Sequence, residues 1–323
     1  MQLNGGNNYG DIFNVDQDSV QNRSNRIRSA MFPEFEADEN EPEPVPQTSH
    51  FSIIEMFAEP SQILKNAVID LLHVQDDTEA ALRSLPELIE QLSSSDPNVV
   101  AQAAHMICSL SKQDIRRFLE VLSKHGAKEL IQASKRDDDN ARGLLAATIG
   151  HISSHEEGRL LIFRSGGIPE LIRMLRSRVE AIVHYAVTTL HNLLRYVETA
   201  KDEIIHHGGL EALTPLLTAS NSRLQALVAD SLYFLLFEHP YCKNAFLALG
   251  GPKVLVEILM TTTYQKLIYA VIRCIRSISV STESKANLIH HRCLEALHHT
   301  LFFIEDPKYR LALLQAMRNL SDA

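Results

Sequence analysis

From about Ser52 to the C-terminus, apolar residues return every three or four positions, and strand-type alternation of apolar and polar residues does not occur. The stretch "SQILKNAVIDLLHVQDDTEAALRSLPELIEQL" opens this region as one helical pattern, with Ile63, Leu64, Ala67, Leu71 and Leu72 on a single face. It predicts one long helix. Residues 1–50 read differently. They are polar and turn-rich, and from Glu34 to Glu59 there are eight acidic side chains and no Lys or Arg. Pro42, Pro44 and Pro46 block a helix there. Such a segment cannot bury enough apolar surface to offset its chain entropy, so residues 1–50 are expected to be a disordered tail. One stretch within it stands out: "RSNRIRSAMFPE", Arg23 to Glu34, spaces Ile27, Ala30, Met31 and Phe32 as on a short amphipathic helix, at about 23–33.

The helical region repeats. The central leucine of "SLPELIEQL", "GAKELIQAS", "GGIPELIRML", "GGLEALTPLL", "GGPKVLVEIL" and "RCLEALHHTL" falls at Leu88, Leu130, Leu171, Leu213, Leu255 and Leu297, in steps of 42, 41, 42, 42 and 42. A second ladder runs through "MICSLS", "TIGHIS", "TLHNLL", "SLYFLL", "CIRSIS" and "AMRNLS", placing Leu110, Ile152, Leu193, Leu235, Ile278 and Leu320 at nearly the same spacing. Each unit holds a short helix ending at a glycine pair, a second helix opening at that corner, and a long third helix apolar on two faces. A single unit cannot bury such faces, but stacked units can. A period near 42 with three helices is the armadillo pattern. Residues 51–323 are therefore expected to form about six repeats, an all-α, right-handed superhelical solenoid whose third helices line a concave groove.

Composition changes this picture little. Apolar residues make up 45% of the 323, which supports a substantial core. The formal net charge of −9 argues against direct nucleic-acid binding, and no apolar run reaches the roughly 18 residues of a membrane span. Cys108, Cys242, Cys274 and Cys293 are scattered and read as reduced core thiols of a cytosolic or nuclear protein. The histidine pairs lack the spacing of a zinc site, "GGPK" at 250–253 follows no strand, and no nucleophile–base or paired-carboxylate arrangement stands out. No enzyme, metal or cofactor is implied.

Groove positions follow from the third-helix ladder. Asn192 and Asn319 share one register, where Ser109, His151, Phe234 and Ser277 stand in the other repeats. An amide there can pair with an extended peptide backbone. Arg195, Arg273, Arg276 and Arg318 lie beside that register, with Lys243 and Lys266 near the same edge. This local positive charge in an acidic chain fits acidic or phosphorylated ligand segments. An ordinary solvated helix face is the alternative.

"RIRSAMFPE", "QDDTEAALRSLPELI", "LIFRSGGIPELIRML", "YAVTTLHNLL", "YQKLIYAVIRCIRSISV" and "AMRNLSDA" together resemble the β-catenin/Armadillo family, in look nearest to nematode adhesion-type β-catenins. The resemblance runs from about Ser24 to Ala323 and covers the N-terminal tail and the first half of a twelve-repeat solenoid, leaving an apolar stacking face expected after "AMRNLSDA". It implies an adaptor without catalysis. The N-terminal helix would dock on α-catenin through Ile27, Ala30, Met31 and Phe32, flanked by Arg26 and Arg28. The groove would take a cadherin cytoplasmic tail, with Asn192, Lys243, Lys266, Tyr269, Arg273, Arg276, Arg318 and Asn319 at the matching positions. Alternatively, the same groove would bind a T-cell-factor-type transcription factor in a nuclear co-activator. The implied place of action is the cytoplasmic face of adherens junctions, or the nucleus on the alternative. The family's phosphodegron lacks its glycine, at Asp18-Ser19-Val20, and this together with the retained α-catenin-type segment favours adhesion; Val74 stands where the family has a tyrosine, so a phosphotyrosine switch is not expected there. Glu90 and Gln91 replace co-activator contacts, although Asp77 and Glu87 remain.

Overall fold

The computed structural model describes residues 82–136 and 138–321. The chain divides into two units, Met1–Lys65 and Asn66–Ala323, and the described residues all belong to the second. The tail with its candidate helix, and the helical pattern up to residue 81, lie outside them. Among the described residues there are α-helices and one short 3-10 segment, and no strand.

The helices come in triplets. α1 (Leu85–Gln91) and α2 (Pro97–Gln113) are the second and third helices of the first unit. Then follow α3 (Ile115–His125), α4 (Ala127–Ala133) and α5 (Asp139–Ser153); α6 (Glu156–Arg164), α7 (Ile168–Met174) and α8 (Glu180–Tyr196); and α9 (Ala200–His206), α10 (Gly209–Leu213) and α11 (Ser222–Leu236). A 3-10 turn, Thr214–Thr218, extends α10. The last two triplets are α12 (Pro240–Ala248), α13 (Gly251–Thr261) and α14 (Gln265–Ile278), then α15 (Thr282–His290), α16 (Cys293–Leu301) and α17 (Pro307–Ser321).

Local chemistry sets these boundaries. The side chains of Asp96, Asp138 and Asn221 accept from backbone N–H groups in the first turns of α2, α5 and α11, which satisfies donors a helix start leaves open. Proline stands in the first turn of α1, α7, α12 and α13, where its missing N–H costs nothing. The single long helix predicted to run through Gln91 is broken at its C-terminal end. Leu82 and Arg83 are helical, Ser84 is a turn, and α1 starts afresh at Leu85. Pro86 is the cause: its ring would collide with the carbonyl of Leu82 in a continuous helix.

The glycine pairs do two different jobs. Gly166, Gly208 and Gly250 sit at φ 70, 78 and 72, the left-handed region. Their partners have ordinary backbones but no room: a Cβ on Gly251 would meet the Phe246 ring at 2.3 Å, and one on Gly209 would meet Ile204 Cγ2 at 2.3 Å. The first glycine turns the chain and the second lets the next helix close on the last. At one such corner, α12 and α13 meet at 74°. In the sixth unit the turning position is Arg292, at φ 62.

Both ladders are buried throughout, from Leu88 to Leu297 and from Leu110 to Leu320. The third helices pack in series: α2 on α5, α5 on α8, α8 on α11, α11 on α14 and α14 on α17. Arginines tie neighbouring units together. Arg136 Nη1 donates to the Leu92 carbonyl at 3.0 Å, and Arg173 Nη2 to the Ser134 carbonyl at 3.2 Å. Each guanidinium thus meets the negative end of a short helix in the preceding unit. On α17, Leu311 and Leu314 remain exposed, as do Phe302 and Phe303 just after α16.

Candidate functional site

Between α8, α11, α14 and α17 the stacked third helices leave an open cavity of about 760 Å³. Arg195, Arg223, Lys266, Arg273 and Lys308 line it, with His184 and His191. Asp230 is the one carboxylate in the lining, and it is already engaged. Its Oδ2 lies 2.9 Å from His191 Nε2, and its Oδ1 pairs with Arg273 Nη1. Burial alone would push the Asp230 carboxyl up. The hydrogen bond from His191 and the charge of Arg273 outweigh it and hold the group below the usual carboxylate range.

Aromatic rings fix the cations. The Arg273 guanidinium lies 3.7 Å from the centroid of Tyr233, with Phe234 and Tyr269 further out. Held by a carboxylate in its plane and a ring on its face, this side chain has little rotamer freedom left to lose on binding. Tyr269 of α14 stacks on Tyr309 of α17, 4.1 Å apart and tilted by 15°, and Lys308 Nζ lies 5.4 Å from the Tyr269 centroid. The wall therefore offers flat apolar faces with positive charge at their edges. This arrangement recognises an extended segment carrying carboxylate or phosphate groups beside apolar side chains.

Of the groove residues expected from sequence, Lys266, Tyr269 and Arg273 come together in this cavity. The others lie elsewhere. Arg276 donates to Gln315 Oε1 of α17 at 2.7 Å, and Arg318 is exposed on α17. Asn192 Nδ2 donates to Ser153 Oγ at 2.9 Å, and Asn319 Nδ2 to Ser279 Oγ at 3.1 Å. Each asparagine thus spends its amide on the end of the preceding third helix, and Asn319 Nδ2 also reaches the Arg276 carbonyl at 3.5 Å. Lys243 is half-buried on α12, the first helix of its triplet, and is not in the cavity wall. Arg26, Ile27, Arg28, Ala30, Met31 and Phe32 lie outside the described residues.

The sequence reading missed Asp230, His184, His191, Arg223, Tyr233, Lys308 and Tyr309. The signal was present. Facing residues on adjacent third helices are 39 or 40 apart: His191–Asp230, Asn192–Ser153, Arg276–Gln315 and Asn319–Ser279. A search at that offset, rather than at the repeat length, pairs them. Among the described residues, no group of three or more His, Cys, Asp or Glu side chains is placed to hold a metal ion. The four cysteines are buried and unpaired by disulfides. Burial pushes the Cys242 thiol up to about 11 and Cys293 to about 12, so neither is a ready nucleophile.

Comparison with known proteins agrees with this architecture. Residues 155–195 match the Armadillo/beta-catenin-like repeat. The chain is 43% identical over 307 residues to beta-catenin-like protein hmp-2 of Caenorhabditis elegans, covering 94% of this chain and 45% of that protein. It is 36% identical over 312 residues to human junction plakoglobin, covering 95% and 41%. A solved structure concerned with a conserved phosphorylation switch in the interaction between cadherin and beta-catenin aligns with a TM-score of 0.67 and 43% identity, over 73% of this chain and 45% of that one. A designed armadillo repeat protein, at 17% identity and a TM-score of 0.62 over 73% of this chain and 99% of its own, shares the fold. The chain spans less than half the length of the curated relatives named here, and over that span it belongs to the β-catenin/Armadillo family.

Proposed function

We propose that this chain is a non-enzymatic adhesion adaptor. Its groove takes the cytoplasmic tail of a cadherin, and the segment containing Arg26, Ile27, Arg28, Ala30, Met31 and Phe32 docks on α-catenin, linking the receptor to the actin cytoskeleton at the cytoplasmic face of adherens junctions. The observation that carries the first half is the cavity across α8, α11, α14 and α17. Five cations and stacked tyrosines line it, and its single carboxylate is already paired. A protein related over 94% of this chain is named for its likeness to beta-catenin, and a solved structure of similar fold concerns cadherin and beta-catenin. The second half rests on the resemblance of the "RIRSAMFPE" segment.

Calorimetry with a cadherin cytoplasmic tail, α-catenin and a T-cell-factor peptide tests both halves. The chain is expected to bind the two adhesion partners. Met31→Asp with Phe32→Asp should abolish α-catenin binding and leave thermal unfolding and cadherin binding unchanged. Binding of the transcription-factor peptide alone would replace this reading with the nuclear one.

A further inference from the structure

We infer that His191 and His184 make the groove a pH-responsive receptor, binding acidic segments more tightly when their imidazoles are protonated. This rests on the reading of the cavity as a seat for acidic ligands, and adds how that seat is regulated.

The geometry around His191 supplies the argument. Asp230 stays a carboxylate near neutral pH, held so by Arg273 and by His191 itself, and a carboxylate only accepts. The Nε2 nitrogen 2.9 Å from it must therefore carry the hydrogen in the neutral ring. The next proton goes to Nδ1. The contact with Asp230 then survives in both states, so protonation adds a charge without rearranging the array. The ring also meets Phe234 edge-on, which fixes its orientation.

The surroundings decide the sign. From its own helix, His184 and Arg195 face the same cavity. From α11 come Asp230 and Arg223, from α14 Arg273 and Lys266, and from α17 Lys308. On the α5 side the titratable neighbour is His151, which packs on Tyr185, and on the α6 side Arg159 stacks on Tyr196. Neither α7 nor α9 contributes to the lining. With neutral imidazoles, five cations and one carboxylate leave four net positive charges, and two imidazolium rings make six. Protons and an empty cationic cavity repel one another, whereas an acidic ligand relieves that repulsion. Ligand and proton binding are therefore positively coupled, and by linkage each strengthens the other. Histidine is the side chain whose charge changes between pH 5 and 8.

The test uses the full chain and an N-terminally acetylated synthetic peptide of glutamate and phenylalanine residues, whose charge is constant between pH 6 and 8. Fluorescence anisotropy should show affinity about fivefold or more tighter at pH 6 than at pH 8, where the ceiling is tenfold per pH unit for each coupled proton. Calorimetry at pH 7 in buffers of different ionisation enthalpy should show proton uptake on binding. His184→Gln, which leaves the Asp230 contact intact, should remove part of the pH dependence. His184→Gln with His191→Gln should remove most of it. A pH-independent affinity, full pH dependence in the double variant, or no binding of this peptide at any pH would overturn the inference. Failure of the cadherin tail to bind, with the synthetic peptide still bound more tightly at pH 6, would overturn the adhesion reading and support this one.

Discussion

Arg292 occupies a corner where the three preceding triplets place glycine, at φ 62 against 70, 78 and 72. A side chain in that region brings its Cβ against the following carbonyl, at a cost on the order of 1–2 kcal/mol. Arg292 recovers little of this. Its ion pair with Glu295 joins two well-exposed side chains, and such pairs contribute less than about 1 kcal/mol. Glycine would relieve the strain but lose more backbone freedom on folding. The balance predicts that Arg292→Gly stabilises the chain by roughly 0.5–1 kcal/mol, read as a higher urea midpoint with an unchanged slope. Gly250→Ala should do the reverse by a similar amount: a Cβ there meets nothing within 4 Å, so only the backbone term acts. An unchanged midpoint in both would show that the corners tolerate either residue. The glycine pairs were readable in the sequence. The 42-residue step sets Arg292 opposite Gly250, but that an arginine would adopt the same backbone there was not readable, because its side chain does not favour the left-handed region.

Short helices hold the units together at places no ladder reveals. Glu170 of α7 is buried, and Arg173, three residues on, grips it with two hydrogen bonds of 2.9 and 2.7 Å while reaching the Ser134 carbonyl of the unit before. Removing the guanidinium leaves a buried carboxylate and a helix-end carbonyl without this partner. Arg173→Ala should therefore cost about 2 kcal/mol, the penalty for a buried carboxylate left without its hydrogen bonds, less than for a fully buried pair because the guanidinium itself is exposed. Adding Glu170→Leu should restore part of the loss, because the charge that needed compensation is gone. Urea unfolding of both variants measures the coupling, and strictly additive losses would mean the pair is not a unit. Within "IPELIRML" the apolar positions declared themselves by period, and each is buried as expected. The role of Glu170 and Arg173 did not, because a charged pair at i,i+3 has the same spacing on a solvated face as in a joint. Asp230 was hidden for a related reason. Its partners lie 39 residues before it and 43 after it, on two different helices, and His191 falls off the 42-residue step of the ladders.

The whole molecule sets the groove's charge against its own. The chain carries a formal net charge of −9 with neutral histidines, yet the cavity wall is positive. The negative balance lies in residues 1–81, with fifteen Asp and Glu against four Lys and Arg, whereas residues 82–323, which form the groove, carry 25 against 27. Salt screens the cavity's attraction for an acidic ligand over a Debye length of about 10 Å at 0.1 M. The native chain's affinity for an acidic peptide should fall several-fold between 50 and 300 mM NaCl. Lys266→Glu with Lys308→Glu removes two cations from the wall and adds two anions, which cancels the cavity's net charge at pH 8 while both positions stay exposed and off the buried ladders. Little electrostatic attraction then remains in the wall. The double variant should bind at least tenfold more weakly at 50 mM NaCl, and its residual affinity should stay level with salt. Anisotropy titrations of both proteins across the salt range give the two slopes. A slope near zero in the variant locates the attraction in this cavity. Equal negative slopes would place the charge that attracts the ligand on another face.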